Sequence, residues 1–217
     1  TDNGFWDTFR AVHPLFTLLY PEVSERVTQS ILNAYDESGF MPEWASPGHR
    51  ECMIGNNSIS LLTDAWMKGI RTICPEKALE AMIHQTEARH PGISSVGRDG
   101  FGYYDRLGYV PYPEVHEATA KTLEYAYADW CVARFADSIG RKEIADTYYR
   151  KALNYRNLYY PDYGFMWAKD ANGKWRDAFD ATEWGGPFTE GSSWHWTWSV
   201  LHDPEGLSRL MGGHTAM

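Results

Sequence analysis

Residues 117–138 carry the longest helical period in the chain, and it limits the fold more than any other feature. Leu123, Tyr127, Trp130 or Cys131, and Phe135 recur on one face of a 3.6-residue repeat. Gly140 stops this helix. Ile144, Tyr148 and Ala152 then carry a second one from Arg141 to Tyr155. So short a connection makes the two an antiparallel hairpin. Glu124 and Asp129 lie on the pair and read, on spacing alone, as solvated or helix-paired charges.

Three more helices come earlier. Pro21 opens one in which Val23, Val27, Ile31 and Ala34 share a face, and Gly39 stops it. Ser58 to Lys68 places Ile59, Leu62 and Trp66 together, and Pro75 opens another through Leu79, Met82 and Ile83. Long loops at 40–57 and 90–113 separate these helices. The first holds Trp44, His49, Arg50 and Glu51; the second holds Tyr103, Tyr104, Tyr109 and Tyr112 among glycines. Helix hairpins laid side by side predict a mainly α fold, either an α/α toroid or a plain bundle. A toroid gathers its loops around one mouth, where a pocket can form. Gly164 to Phe179 reads as a small β-hairpin with Asn172-Gly173 at its turn. Asp170 and Asn172 mimic the opening of a calcium loop, but Phe179 stands where that loop needs a bidentate Glu.

Composition removes several function classes. The chain of 217 residues has a net charge of -9 and no basic run, which argues against nucleic acid as a partner. No apolar stretch approaches the ~20 residues of a membrane span. Cys52, Cys74 and Cys131 lack metal-ligand spacing. No signal peptide is present, although the chain opens at Thr1 rather than at a methionine. GRDGFG lacks the strand, lysine and spacing of a nucleotide-binding loop. Aromatics reach 15%, with 10 Trp, a content that suits either carbohydrate contact or aromatic packing between large helices.

The chemistry concentrates in FTEGSSWHWTWSVLHDPEGL, residues 188–207. Trp194, Trp196 and Trp198 surround one carboxyl group, Glu190. Aromatic faces stack on sugar rings, and a carboxylic acid protonates a glycosidic oxygen, so Glu190 reads as the general acid of a glycosidase. An acid among tryptophans also fits a buried helix with a capped end. Asp203-Pro204-Glu205 starts a short helix ending near Gly212. At the other end, Asp7 after Trp6 reads first as a helix cap and second as an acceptor for sugar hydroxyls.

These segments in their order resemble glycoside hydrolase family 92, the exo-acting α-mannosidases found mostly in bacteria that feed on glycans. The motifs are GFWDTFR, HPL, LYPE, ECMIG, TDAWMKGI, GYVP, TLEYAYADW, FTEGSSWHWTW and HDPEGL, spread from Gly4 to Gly213. The resemblance implies an (α/α)6 barrel, normally preceded by a β-sandwich domain, of which residues 1–217 would be a part. It implies calcium-dependent, inverting hydrolysis of terminal α-mannosides, with α-1,2 linkages as the default, on mannose-terminated glycans such as N-glycans. It implies a periplasmic, cell-surface or secreted location. By the same resemblance Glu190 is the general acid, and Asp7 with Trp6 holds the non-reducing mannose, reversing the preference for a simple cap. Arg50 and Glu51 are expected in the pocket wall and Trp194 against substrate.

There are departures. Ser192, Ser193, His195 and Trp196 stand where the family has Asn, Ala, Gln and Tyr. The family's base motif, Gly-Asn-Asp-Asp-Cys-Gly, and its calcium-binding Asn-Glu-Pro motif occur nowhere in the chain. The calcium ligands are therefore expected beyond Met217, and the chain by itself is expected to be inactive without the remainder of the domain. The alternative reading is a glycan-binding module without catalysis.

Overall fold

The computed structural model describes residues 3–217. In chain order the elements are β1 (Asn3–Gly4), α1 (Phe5–Thr8), α2 (Val12–Leu19), α3 (Pro21–Ser38), β2 (Trp44–Ala45), α4 (Asn57–Met67) and α5 (Pro75–Glu87). There follow α6 (Phe101–Leu107), α7 (Ala118–Ser138), α8 (Lys142–Lys151), a 3-10 turn (Ala152–Leu158), β3 (Tyr159–Tyr160), β4 (Phe165–Met166), α9 (Ser193–Trp196) and α10 (Pro204–Leu210). Two short antiparallel sheets, β1–β2 and β3–β4, accompany the helices. The chain divides into two compact units: residues up to 99 with 128–149, and residues 100–127 with 150–217.

In the first unit α2 packs on α3 and α4, and α3 packs on α4 and α5. The buried face of α3 is Ser24, Thr28, Ile31 and Leu32, one position round from the expected stripe. Val23, Val27 and Ala34 instead line a groove of about 250 Å³ with Phe5 and Pro42. Thr28 Oγ1 can donate to the Glu25 carbonyl within its own helix, at 3.0 Å.

The loop 40–56 is held at both ends by buried polar groups. Near its start, Glu43 Oε2 accepts the Asn57 and Ser58 N–H groups at 2.7 and 3.2 Å, the orphan donors at the head of α4. Its Oε1 accepts Ser58 Oγ at 2.8 Å and Gln85 Nε2 at 3.1 Å. Gln85, on α5, also brackets Met41, donating to its carbonyl and accepting its N–H. At the loop's end Asn56 donates to the Gly97 carbonyl at 3.0 Å and accepts Arg98 Nε at 2.7 Å. Arg98 Nη2 reaches Asp129 on α7 at 2.8 Å, and both side chains are fully buried. The sequence reading of Asp129 as a solvated charge fails at this point. Its partner comes from the glycine-rich loop, far away in sequence, and spacing within a helix cannot reveal that.

In the second unit Tyr104, Val110, Val115, Ala118 and Tyr125 form a buried cluster with Tyr103 and Tyr112 packed on it. The tyrosines of the second loop are thus largely structural. Residues 90–113 are also not all loop, since α6 forms within them. Gly100 and Gly108 take left-handed φ values of 78° and 74° at its two ends, and such a conformation favours glycine. The turn at Asn172-Gly173 forms as expected, with Asp170 N–H donating to the Lys174 carbonyl at 2.9 Å and a bridge at Lys169–Trp175. The regular strand pairing lies one step back, Tyr159 opposite Met166 and Tyr160 opposite Phe165. Asp170 Oδ1 is occupied by the Asn172 and Lys174 N–H groups, an Asx turn with no need of a cation. Asp203 caps α10 by accepting Gly206 N–H at 2.8 Å.

Two outcomes follow from the polar core. Asp129→Ala strands the Arg98 guanidinium in the interior and should cost about 3–5 kcal/mol, read as a lowered urea midpoint in the full-length protein. Complete burial outweighs the four donors at Glu43 and raises its carboxyl from 4.5 to about 8. The unfolded chain releases this proton near 4.5 and the folded chain near 8. This contribution is therefore fully present below pH 4.5 and is lost as pH rises to about 8. Glu43→Gln should flatten that part of the stability profile, checked by urea midpoints at intervals across the range.

Candidate functional site

Glu190 sits in a turn whose backbone is pinned on both sides. The Thr189 carbonyl accepts Trp196 Nε1–H at 2.8 Å, and the Gly191 carbonyl accepts the Gly185 N–H at 2.8 Å. Next, Ser192 caps α9 in a reciprocal box: its own N–H donates to His195 Nδ1 at 3.1 Å while its hydroxyl serves the His195 end. Gly191 is what lets this close. A Cβ there would lie 3.1 Å from Trp196 Nε1 and 3.3 Å from His195 Cβ. Thr197 Oγ1 and Ser193 Oγ tie α9 to Met166 of β4.

Held this way, Glu190 has φ 44°, the left-handed region that costs a non-glycine residue about 1–2 kcal/mol. Its side chain is exposed and makes no hydrogen bond or ion pair among the described residues. Met53, Glu117 and Ala178 share this region at φ 61°, 56° and 55°, and such strain persists only where the surroundings over-determine it. Among residues 3–217 the neighbouring tryptophans do not bury this acid. Trp196 is buried, but its ring serves the turn. Trp194 is half exposed and packs edge-on against Phe165 at 4.9 Å.

The preceding segment is equally fixed. Arg176 grips Glu183 through both guanidinium nitrogens at 2.7 Å. Asp180 accepts the Thr182 N–H and hydroxyl at 2.8 and 2.7 Å, which holds its carboxyl below the usual range. Trp194 N–H donates to the Ala181 carbonyl at 3.1 Å. Sequence reading missed Arg176 and Glu183, which meet in a segment that forms neither helix nor strand.

The remaining candidates fall in the first unit. Asp7 lies inside α1, whose N-cap is Gly4 with no side-chain cap, so Asp7 is not a cap. It is exposed, beside half-buried Trp6, over whose ring Arg10 stands at 4.6 Å. The β1–β2 pairing sets Gly4 opposite Trp44 and so brings this segment alongside the loop of Arg50. Arg50 is exposed, stands 5.4 Å over Trp44 and donates its N–H to the Trp44 carbonyl. Glu51 is bound to Ser94, which lowers its carboxyl pKa, and it fastens one loop to another. Among the described residues no group of three or more His, Cys, Asp or Glu could hold a metal. No helix among them is long and apolar enough to cross a membrane.

The family model described as the glycosyl hydrolase family 92 catalytic domain matches residues 1–217. The chain belongs to this family. It is 84% identical to a family 92 inverting mannosidase of Bacteroides thetaiotaomicron, with a TM-score of 0.98 over 99% of this chain and 29% of that one. A second family 92 α-mannosidase of that organism is 32% identical, with a TM-score of 0.90 over 97% of this chain and 28% of that one. That α-mannosidase also has a solved complex with mannoimidazole. An uncharacterized secreted glycosidase of Arthroderma benhamiae is 25% identical over 85% of this chain and 28% of its own length. The chain thus spans less than a third of each relative. Its mainly helical fold is that of the family.

The strain at position 190 has a measurable signature. Glu190→Gly and Glu190→Ala both remove the carboxylate, but only glycine suits the left-handed backbone. The glycine variant should be about 1 kcal/mol more stable than the alanine variant, measured by thermal or urea unfolding.

Proposed function

We propose that the full-length protein containing this chain is an inverting exo-α-mannosidase acting on mannose-terminated glycans, with α-1,2 linkages as its first substrate. Residues 1–217 are part of its catalytic α/α barrel. The exposed, strained, unpartnered carboxyl of Glu190 carries this reading. The 84% identity to a protein described as an inverting mannosidase supports it. Glu190 is the general acid that gives its proton to the glycosidic oxygen as the bond to the leaving sugar breaks. Inversion requires a second carboxyl roughly 6.5–9.5 Å away, with a water between it and the sugar. Residues 1–217 supply the acid, and the base and calcium ligands are proposed to lie elsewhere in the full-length protein.

Asp7, as substrate clamp, offers two carboxylate oxygens to the hydroxyls of the terminal mannose, with the Trp6 ring beside it. Trp194 and Arg50 are proposed substrate contacts. Glu51 serves the site indirectly, by holding the Arg50 loop against Ser94. An extracytoplasmic or secreted location accords with the secreted relative.

Glu190→Gln in the full-length protein should lower kcat on unactivated α-1,2-mannobiose about 10²–10⁴-fold and lower it far less on a mannoside with a good leaving group. Proton NMR of the wild-type reaction should show β-mannose as the first product. Undiminished turnover of mannobiose by the variant would remove Glu190 from the acid role. Mannobiose binding by the wild type without any hydrolysis would favour a glycan-binding module instead.

A further inference from the structure

Trp184 is among the most exposed large apolar side chains in the described chain, at 66%, and it is not on a loose loop. The segment from Asp180 to Gly186 is fixed at four places: the Asp180–Thr182 turn, the Arg176–Glu183 fork, the bond from Trp194 N–H to the Ala181 carbonyl, and the bond from Gly185 N–H to the Gly191 carbonyl. The last of these places Trp184 one residue before its donor and Glu190 one residue before its acceptor. The Trp184 ring meets His195 edge-on, with centroids 5.5 Å apart and planes at 81°. His195 is in turn fixed through Nδ1 to Ser192. The contact restrains the indole through one side and leaves most of its surface uncovered by the other described residues.

An indole held on a rigid loop, with one face uncovered by the rest of residues 3–217 and its loop hydrogen-bonded to the Glu190 turn, can offer that face to a ligand with an apolar side. The C–H face of a pyranose is such a ligand. We infer that Trp184 is the stacking platform for the sugar on the leaving-group side of the scissile bond, and so a specificity-determining residue. The inference rests on the reading of Glu190 as the acid. The oxygen that Glu190 protonates departs with the next sugar, and Trp184 stands on the same pinned turn as that proton donor. Asp7 and Trp6 are assigned to the terminal mannose.

The test compares two substrates on the full-length protein. α-1,2-Mannobiose has a sugar leaving group, and α-mannosyl fluoride has none. Trp184→Ala should lose kcat/KM on mannobiose roughly tenfold or more beyond its loss on the fluoride. Trp184→Phe should restore most of that difference, because the aromatic face returns. Equal losses on both substrates would show that the ring only supports the turn, and no loss on either would show that it contacts no sugar; each overturns the inference. A wild type that cleaves neither substrate defeats the mannosidase reading separately. Mannobiose binding, followed by calorimetry, then decides Trp184: affinity lost in the alanine variant sustains the platform, and unaltered or absent binding overturns it.

Discussion

The first unit depends on burying charge with its partners in place. Arg98 and Asp129 both lie out of reach of water, where either alone would be costly and the pair is acceptable only with its other hydrogen bonds satisfied. Asn56 supplies one of them to Arg98 Nε. The pair therefore fixes where loop 40–56 ends, where the glycine-rich loop passes and where α7 must lie. Glu43 does the same for the other end of that loop by seating its carboxyl at the head of α4. Between the two anchors the chain can carry exposed groups such as Arg50 without losing its course.

The second unit solves a different problem, that of holding an exposed acid in a conformation it would not choose. The Glu190 turn is closed by Trp196, Gly185, Ser192 and His195, each through a hydrogen bond to or near the backbone. Strain of one or two kcal/mol persists only when its surroundings over-determine it, and these contacts do so. At the start of α9 the Ser192 hydroxyl and the His195 imidazole form a capping box, each accepting the other residue's backbone N–H.

The helices are legible in the sequence because period and stop signals are local. Pro21, Gly39, Pro75 and Gly140 all end or begin elements where expected. The α3 face falls one position away from its expected stripe because hydrophobicity alone cannot foresee that Ser24 and Thr28 fit a close helix contact. α6 escapes notice because its tyrosines and flanking glycines read as loop chemistry. Glu190 is proposed from its place among tryptophans, whereas Trp6, Asp7, Arg50, Glu51 and Trp194 are proposed through the family resemblance, and residue type alone leaves Asp7 a cap. The anchors Glu43, Gln85, Arg98 and Arg176 are invisible for a common reason. Each acts on a partner that no periodic rule connects to it.

The way the units divide the chain has a consequence for synthesis. The first unit draws on residues up to 99 and again on 128–149, with the second unit's opening segment in between. During translation Arg98 is therefore made before Asp129 exists. At about 5–20 residues per second, the guanidinium waits a few seconds for its carboxylate. Until then it must stay hydrated, and the earlier helices cannot close over it. Closing the first unit earlier would bury an unpaired charge, so its final packing is coupled to the delivery of α7.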